Sequence, residues 1–131
     1  MLRAIGLLFL LTACTGVQMN NSNNSHTLWH SITPSEAKRM MDELDNYVLL
    51  DVRGPAEYEQ MHIEGAILIP AGELSERAEA ELPDKDAVIL IYCHGGLRSE
   101  PAAAELIRQG YTNVYSFGGI ISWPYGTVSG L

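Results

Sequence analysis

Apolar residues in this chain follow two patterns: short unbroken runs, and longer stretches in which they recur every third or fourth position. Runs at 47–51, 66–69, 87–92 and 113–117 read as strands, and the stretches between them as helices. The run at 87–92 shows no polar alternation, the pattern of a strand covered on both faces. Strands and helices in alternation predict an α/β fold, with a central parallel sheet and helices on both faces. In such a sheet ligands gather outside the carboxyl ends of the strands. The acidic stretch 73–81 fits a solvated helix face, and no internal repeat is visible.

Candidate chemistry begins where the 87–92 run ends. Ile91 and Tyr92 lead into Cys93, His94, Gly95, Gly96, Leu97, Arg98 and Ser99, a lone cysteine entering a glycine-rich turn. A helix is predicted next, with Ser99 as its N-cap, Pro101 in the first turn, Ala103, Leu106 and Ile107 on one face, and Gly110 at the C-terminal cap. Strand, tight loop and helix N-terminus together point several backbone N–H groups at one spot, which favours an anion and lowers a thiol pKa. Cys93 falls at that spot. A merely packed cysteine requires neither the two adjacent glycines, which permit close approach and positive φ, nor the fixed cation of Arg98.

The amino-terminal residues carry a separate message. Met1, Leu2 and Arg3 make a minimal basic start, and the apolar stretch 4–11 is far short of the about 20 residues that span a bilayer. A cleaved signal is the better reading. Leu11, Thr12, Ala13 and Cys14 resemble a bacterial lipobox, which implies a signal peptide over 1–13 and a mature chain starting at a Cys14 acylated on its sulfur and its amine. Residues 15–26, rich in Asn and Ser, hold too little apolar content to pack and read as a tether. Fully extended, this tether reaches about 40 Å. Thr15 does not resemble the aspartate that commonly retains such proteins at the inner membrane. The expectation is therefore a lipid-anchored protein of the cell envelope, on the periplasmic side, with the outer membrane favoured.

Composition narrows the classes. The 131 residues suit one small domain, placed over 27–131 and expected to be monomeric. Sixteen acidic against eight basic residues give a formal charge of −8, which argues against nucleic acid as a partner. The four histidines, His26, His30, His62 and His94, are scattered without zinc spacing, so neither a metal nor a cofactor is expected. An acylated Cys14 leaves Cys93 as the sole thiol, with no partner for a cycling internal disulfide.

The loop running from Cys93 to Arg98 resembles the active loop of single-domain rhodaneses, and further motifs follow in the right order. Ile32, Thr33, Pro34, Ser35, Glu36 and Ala37 resemble that family's entry into its first helix; Leu50, Asp51, Val52 and Arg53, with Glu57 and Tyr58, its second strand and the turn after it. His62, Ile63, Glu64, Gly65 and Ala66, continuing to Ile69 and Pro70, resemble the passage through its third strand, and Val114, Tyr115, Gly118, Gly119 and Trp123 its closing strand and glycine pair. The resemblance implies a rhodanese-like fold and a two-stage sulfur transfer. Cys93 takes the outer sulfur of a sulfane donor such as thiosulfate as a persulfide, then yields it to a thiol or cyanide acceptor. The N–H groups of residues 94–99 stabilise the anionic sulfur, with Arg98 holding the loop and adding positive potential. Asp51, Arg53 and His62 read as structural supports rather than as catalytic groups.

This chain departs from the family pattern in places. His94 stands where thiosulfate-using members frequently carry arginine, Met61 where glycine is common, and Glu100 with Pro101 where small residues are usual. Weak thiosulfate affinity is expected, Glu100 adding a repulsive charge near the mouth. Two rivals from other classes remain. A cysteine phosphatase or arsenate reductase shares the cysteine, cradle and arginine, but its loop encloses five residues where Cys93 and Arg98 enclose four. A non-catalytic docking module is the other, since a fold does not guarantee chemistry.

Overall fold

The computed structural model describes residues 28–131. The signal segment, Cys14 and the tether expected over 1–26 lie outside the described residues. Elements follow as β1 (His30–Ser31), α1 (Pro34–Glu43), β2 (Val48–Asp51), α2 (Pro55–Gln60), β3 (Ile67–Leu68), α3 (Leu74–Glu81), β4 (Val88–Cys93), α4 (Ser99–Arg108) and β5 (Asn113–Gly119). Short 3₁₀ turns at Ala71–Glu73 and Ile120–Ser122 complete the order.

The five strands form one parallel sheet in the order β1-β5-β4-β2-β3, with β4 at its centre. Alternate residues of β4 explain the unbroken apolar run. Ile89, Ile91 and Cys93 pack with Leu74 and Ala78 of α3 and Ala102, Ala103 and Leu106 of α4. Leu90 and Tyr92 pack on the opposite face with Ala37 of α1, Phe117 and Trp123. Both faces of the strand are buried, so no polar residue is tolerated between them.

Local signals account for the helix ends. Thr33 and Glu36 cap α1 reciprocally, the Thr33 N–H donating to the Glu36 carboxylate at 2.7 Å and the Glu36 N–H to the Thr33 hydroxyl at 3.2 Å. At the far end of α4, the Gly110 N–H donates to the Ile107 carbonyl and the Tyr111 N–H to that of Leu106, the paired bonds of a Schellman stop. The acidic side of α3 is solvated, its Arg77 paired with Glu73 and Glu81.

Three details differ from the sequence-based expectation. Strand β1 escapes the pattern, because two residues carry no periodicity. Strand β5 runs on through Gly118 and Gly119, beyond its last large apolar residue. Ser99 is not the N-cap of α4; Arg98 holds that position with helical backbone angles and caps with no side chain.

Candidate active site

The direct hydrogen bond to the Cys93 sulfur comes from the loop, the Gly96 N–H donating to Sγ at 3.0 Å. The N–H groups of Arg98 and Ser99, at the start of the helix where backbone donors lack intrahelical partners, and the Ser99 hydroxyl also favour the thiolate. Burial alone pushes the Cys93 thiol up, yet these donors outweigh it and hold the thiol below its ordinary value. As a thiol, Sγ–H faces the Gly118 carbonyl oxygen at 3.7 Å.

Backbone geometry builds this cradle. Between Ile91 and Cys93 the β4–β5 register slips, so that Ile91 pairs with Ser116 but Cys93 with Gly119, an irregularity of the kind that re-aims a side chain at a strand end. Gly96 takes φ +106°, a conformation that side chains resist. Gly119 is required for a different reason: a Cβ there would lie 2.0 Å from the His94 carbonyl oxygen. The same carbonyl is fixed by the Ile121 N–H at 3.2 Å. Gly95 needs no such freedom; a Cβ on it would meet only the Ile121 side chain at an ordinary 3.6 Å.

Of the loop residues singled out from the sequence, Cys93, Gly96, Arg98 and Ser99 converge, whereas His94, Gly95 and Leu97 face solvent. Ser99 is fully buried, its hydroxyl accepting from Ser116 at 3.1 Å and its single proton turning either to the Gly96 carbonyl oxygen at 3.2 Å or to the Cys93 sulfur. Arg98 makes two parallel bonds to Glu57, at 2.7 and 2.8 Å. Its guanidinium therefore braces α4 against α2, and most of the positive potential expected from it is neutralised. The Arg98 guanidinium in turn holds the Glu57 carboxyl down at about 2.

Asp51 and Arg53 form a second pair, sealed in the interior, with Arg53 reaching Asp51 at 2.8 to 3.1 Å and donating to the Met61 carbonyl at 2.6 Å. His62 is buried, stacked on Tyr58 with ring centres 3.7 Å apart, and its Nδ1 lies 2.8 Å from the Tyr58 carbonyl oxygen. Sequence reasoning missed Glu57 as the partner of Arg98, along with Ser116 and the backbone of Gly118. Glu57 lies 41 positions from Arg98, and no local pattern links residues so far apart. Among the described residues, no group of three or more His, Cys, Asp or Glu side chains is placed to hold a metal.

A parallel α/β domain whose central strand ends in one cysteine, held in a tight loop that leads into a helix, defines a class of cysteine-loop proteins. Residues 33–124 match the rhodanese-like domain, and the chain belongs to that family. It is 42% identical over 71 residues to thiosulfate sulfurtransferase PspE of Escherichia coli, covering 54% of this chain and 68% of that protein. It is 43% identical over 77 residues to the putative sulfur carrier protein YrkF of Bacillus subtilis, covering 59% of this chain but only 40% of the relative. A solved structure described as rhodanese with anions from E. coli superposes with a TM-score of 0.61 at 38% identity, over 65% of this chain and all of that one. The names of these relatives concern sulfur transfer and sulfur carriage.

Proposed function

We propose that the protein is a rhodanese-type sulfurtransferase that carries sulfane sulfur as a persulfide on Cys93. The observation supporting this most directly is the Cys93 sulfur itself, buried at the strand end and met by the Gly96 N–H at 3.0 Å. Relatives named for sulfur transfer add support.

In the first displacement the thiolate attacks the outer sulfur of thiosulfate; the new S–S bond forms on Cys93, the donor's S–S bond breaks, and sulfite leaves with the bonding pair. In the second, cyanide or a thiolate attacks the outer persulfide sulfur and restores the Cys93 thiolate. Both states of the enzyme carry one negative charge on sulfur, so one set of fixed N–H dipoles serves both. The loop, enclosing four residues, suits a sulfur atom better than the tetrahedral oxyanion of a phosphatase.

The same proposal places the domain on the periplasmic face of a membrane through an acylated Cys14, the outer membrane favoured. That part rests on Leu11, Thr12, Ala13 and Cys14 alone. Two or more acyl chains give stable attachment where one is marginal, so Cys14→Ala should move the protein out of the membrane fraction.

The test of the sulfur chemistry is intact mass after incubation with thiosulfate or a thiosulfonate. A gain of one sulfur, removed by cyanide and absent in a folded Cys93→Ser variant, is the expected result. No adduct from any sulfane donor would favour a docking module instead.

A further inference from the structure

We propose that the Cys93 loop selects small organic sulfane donors, bearing an apolar group beside the outgoing sulfur and no more than one negative charge, over the inorganic dianion thiosulfate. This rests on the sulfurtransferase reading above and specifies its donor.

The cradle of N–H groups accommodates one negative charge, at the sulfur. Thiosulfate brings a second charge on its sulfonate oxygens, which must lie outward, at the mouth of the loop. Arg98 in the loop itself and Arg53 just after β2 are both occupied. Arg98 is matched by the two oxygens of Glu57. Arg53 is 2% exposed and held by Asp51 and the Met61 carbonyl. Among the described residues the remaining cations sit elsewhere: Lys38 and Arg39 in α1, Arg77 in α3, Lys85 ahead of β4, and Arg108 at the far end of α4. Lys38, Arg77, Lys85 and Arg108 each pair with a carboxylate of their own.

The mouth instead offers apolar carbon. Leu97, within the loop, is 91% exposed, and Ile121 is 64% exposed. The Ile121 side chain reaches within contact range of Gly95, and its N–H is bonded to the His94 carbonyl. The exposed Glu100 adds a like charge one residue into α4. A sulfonate against these side chains loses water without gaining a counter-ion, whereas an alkyl or aryl group there is removed from water. Two aliphatic side chains offer an area far below the roughly 800 Å² per partner of a stable protein interface, so the group they fit is small.

Benzenethiosulfonate and methanethiosulfonate react by the same displacement as thiosulfate. The Cys93 thiolate attacks the terminal sulfur, a persulfide forms on Cys93, and the sulfinate departs with the electrons of the broken S–S bond. The experiment measures kcat/KM for all three donors with cyanide as acceptor, on the full chain at pH 8 to keep imidazole groups neutral, each value divided by the donor's rate with a small free thiolate. The expected order is benzenethiosulfonate, methanethiosulfonate, thiosulfate, with at least about tenfold between first and last, the range a single apolar contact can supply. Ile121→Ser should cut the ratio of benzenethiosulfonate to thiosulfate by about threefold or more. Ile121→Lys should shrink it further by raising the thiosulfate value. A corrected ratio near one in the wild type, or a ratio indifferent to both folded variants, overturns the donor assignment while leaving the sulfurtransferase intact. Absence of turnover with all three donors overturns the sulfurtransferase reading itself.

Discussion

Arg53 and Arg98 each grip a carboxylate through several hydrogen bonds, yet one pair is sealed from water and the other stands half exposed beside the Cys93 loop. Asp51 and Arg53 retain 0% and 2% exposure of their side chains, against 37% and 41% for Glu57 and Arg98. Losing one member of a buried pair leaves a charge in a medium that cannot solvate it. Losing one member of an exposed pair leaves a charge that water receives. The interior pair is therefore a matter of stability, whereas the outer pair occupies a cation that stands beside the Cys93 loop.

The sharpest way to break this contrast is Asp51→Ala, expected to destabilise the domain by about 3–5 kcal/mol through the unpaired Arg53. Chemical denaturation measures it, and removing both partners in Asp51→Ala/Arg53→Met should recover part of the loss. A single-variant loss below about 1 kcal/mol would place the pair in the exposed category. Glu57→Gln should behave oppositely. Its stability changes by less than about 1 kcal/mol, while the KM for thiosulfate falls about threefold as Arg98 is released, the scale of one screened charge pair. An unchanged KM would mean that Arg98 cannot serve the mouth even when free.

Acid separates the pairs further. The Glu57 carboxyl is depressed to about 2 in the folded protein, below the about 4.3 of an unperturbed glutamate. Its stabilisation is therefore complete above the unfolded value and lost as pH falls towards the folded one. Wild type and Glu57→Gln should differ by a constant amount from pH 8 down to about 5 and converge between about 4.3 and 2. A difference that grows on acidification would contradict the sign. The smallest effect belongs to Ser99→Ala. Its hydroxyl is one of the groups lowering the Cys93 thiol, after burial, which raises it, and the Arg98 N–H, which lowers it. The alkylation midpoint of Cys93, expected below the usual 8.5 in the wild type, should move upward in this variant, and a downward movement would remove Ser99 from the cradle.

Legibility followed the range of the interactions. The run ending in Cys93 was readable because burial on two faces leaves an unbroken apolar stretch, and the Gly110 stop because a glycine after a helical stretch is a local signal. The start of α1 was read only through its resemblance to the family, although the reciprocal cap of Thr33 and Glu36 lay within four residues. Ser99 was misassigned because an N-cap serine and a first-turn serine look alike in sequence. What distinguished them was the backbone of Arg98, already helical, which places the helix entry one residue before the serine. Arg98 was visible as a cation but not as a neutralised one, since Glu57 reaches it only through the packing of α2 beside the loop. Of Gly95 and Gly96, which look equivalent as a pair, only Gly96 adopts positive φ.

The sheet has a further consequence at its margins. Both outermost strands, β1 and β3, are two residues long, so each border presents only a short row of unpaired backbone groups to any neighbouring molecule. Borders of this kind give an incoming extended chain little to zip onto. Crowded copies of the domain thus lack a template for growing ribbons, and the fold protects itself from polymerisation by brevity, without placing a charge or a proline in either border strand.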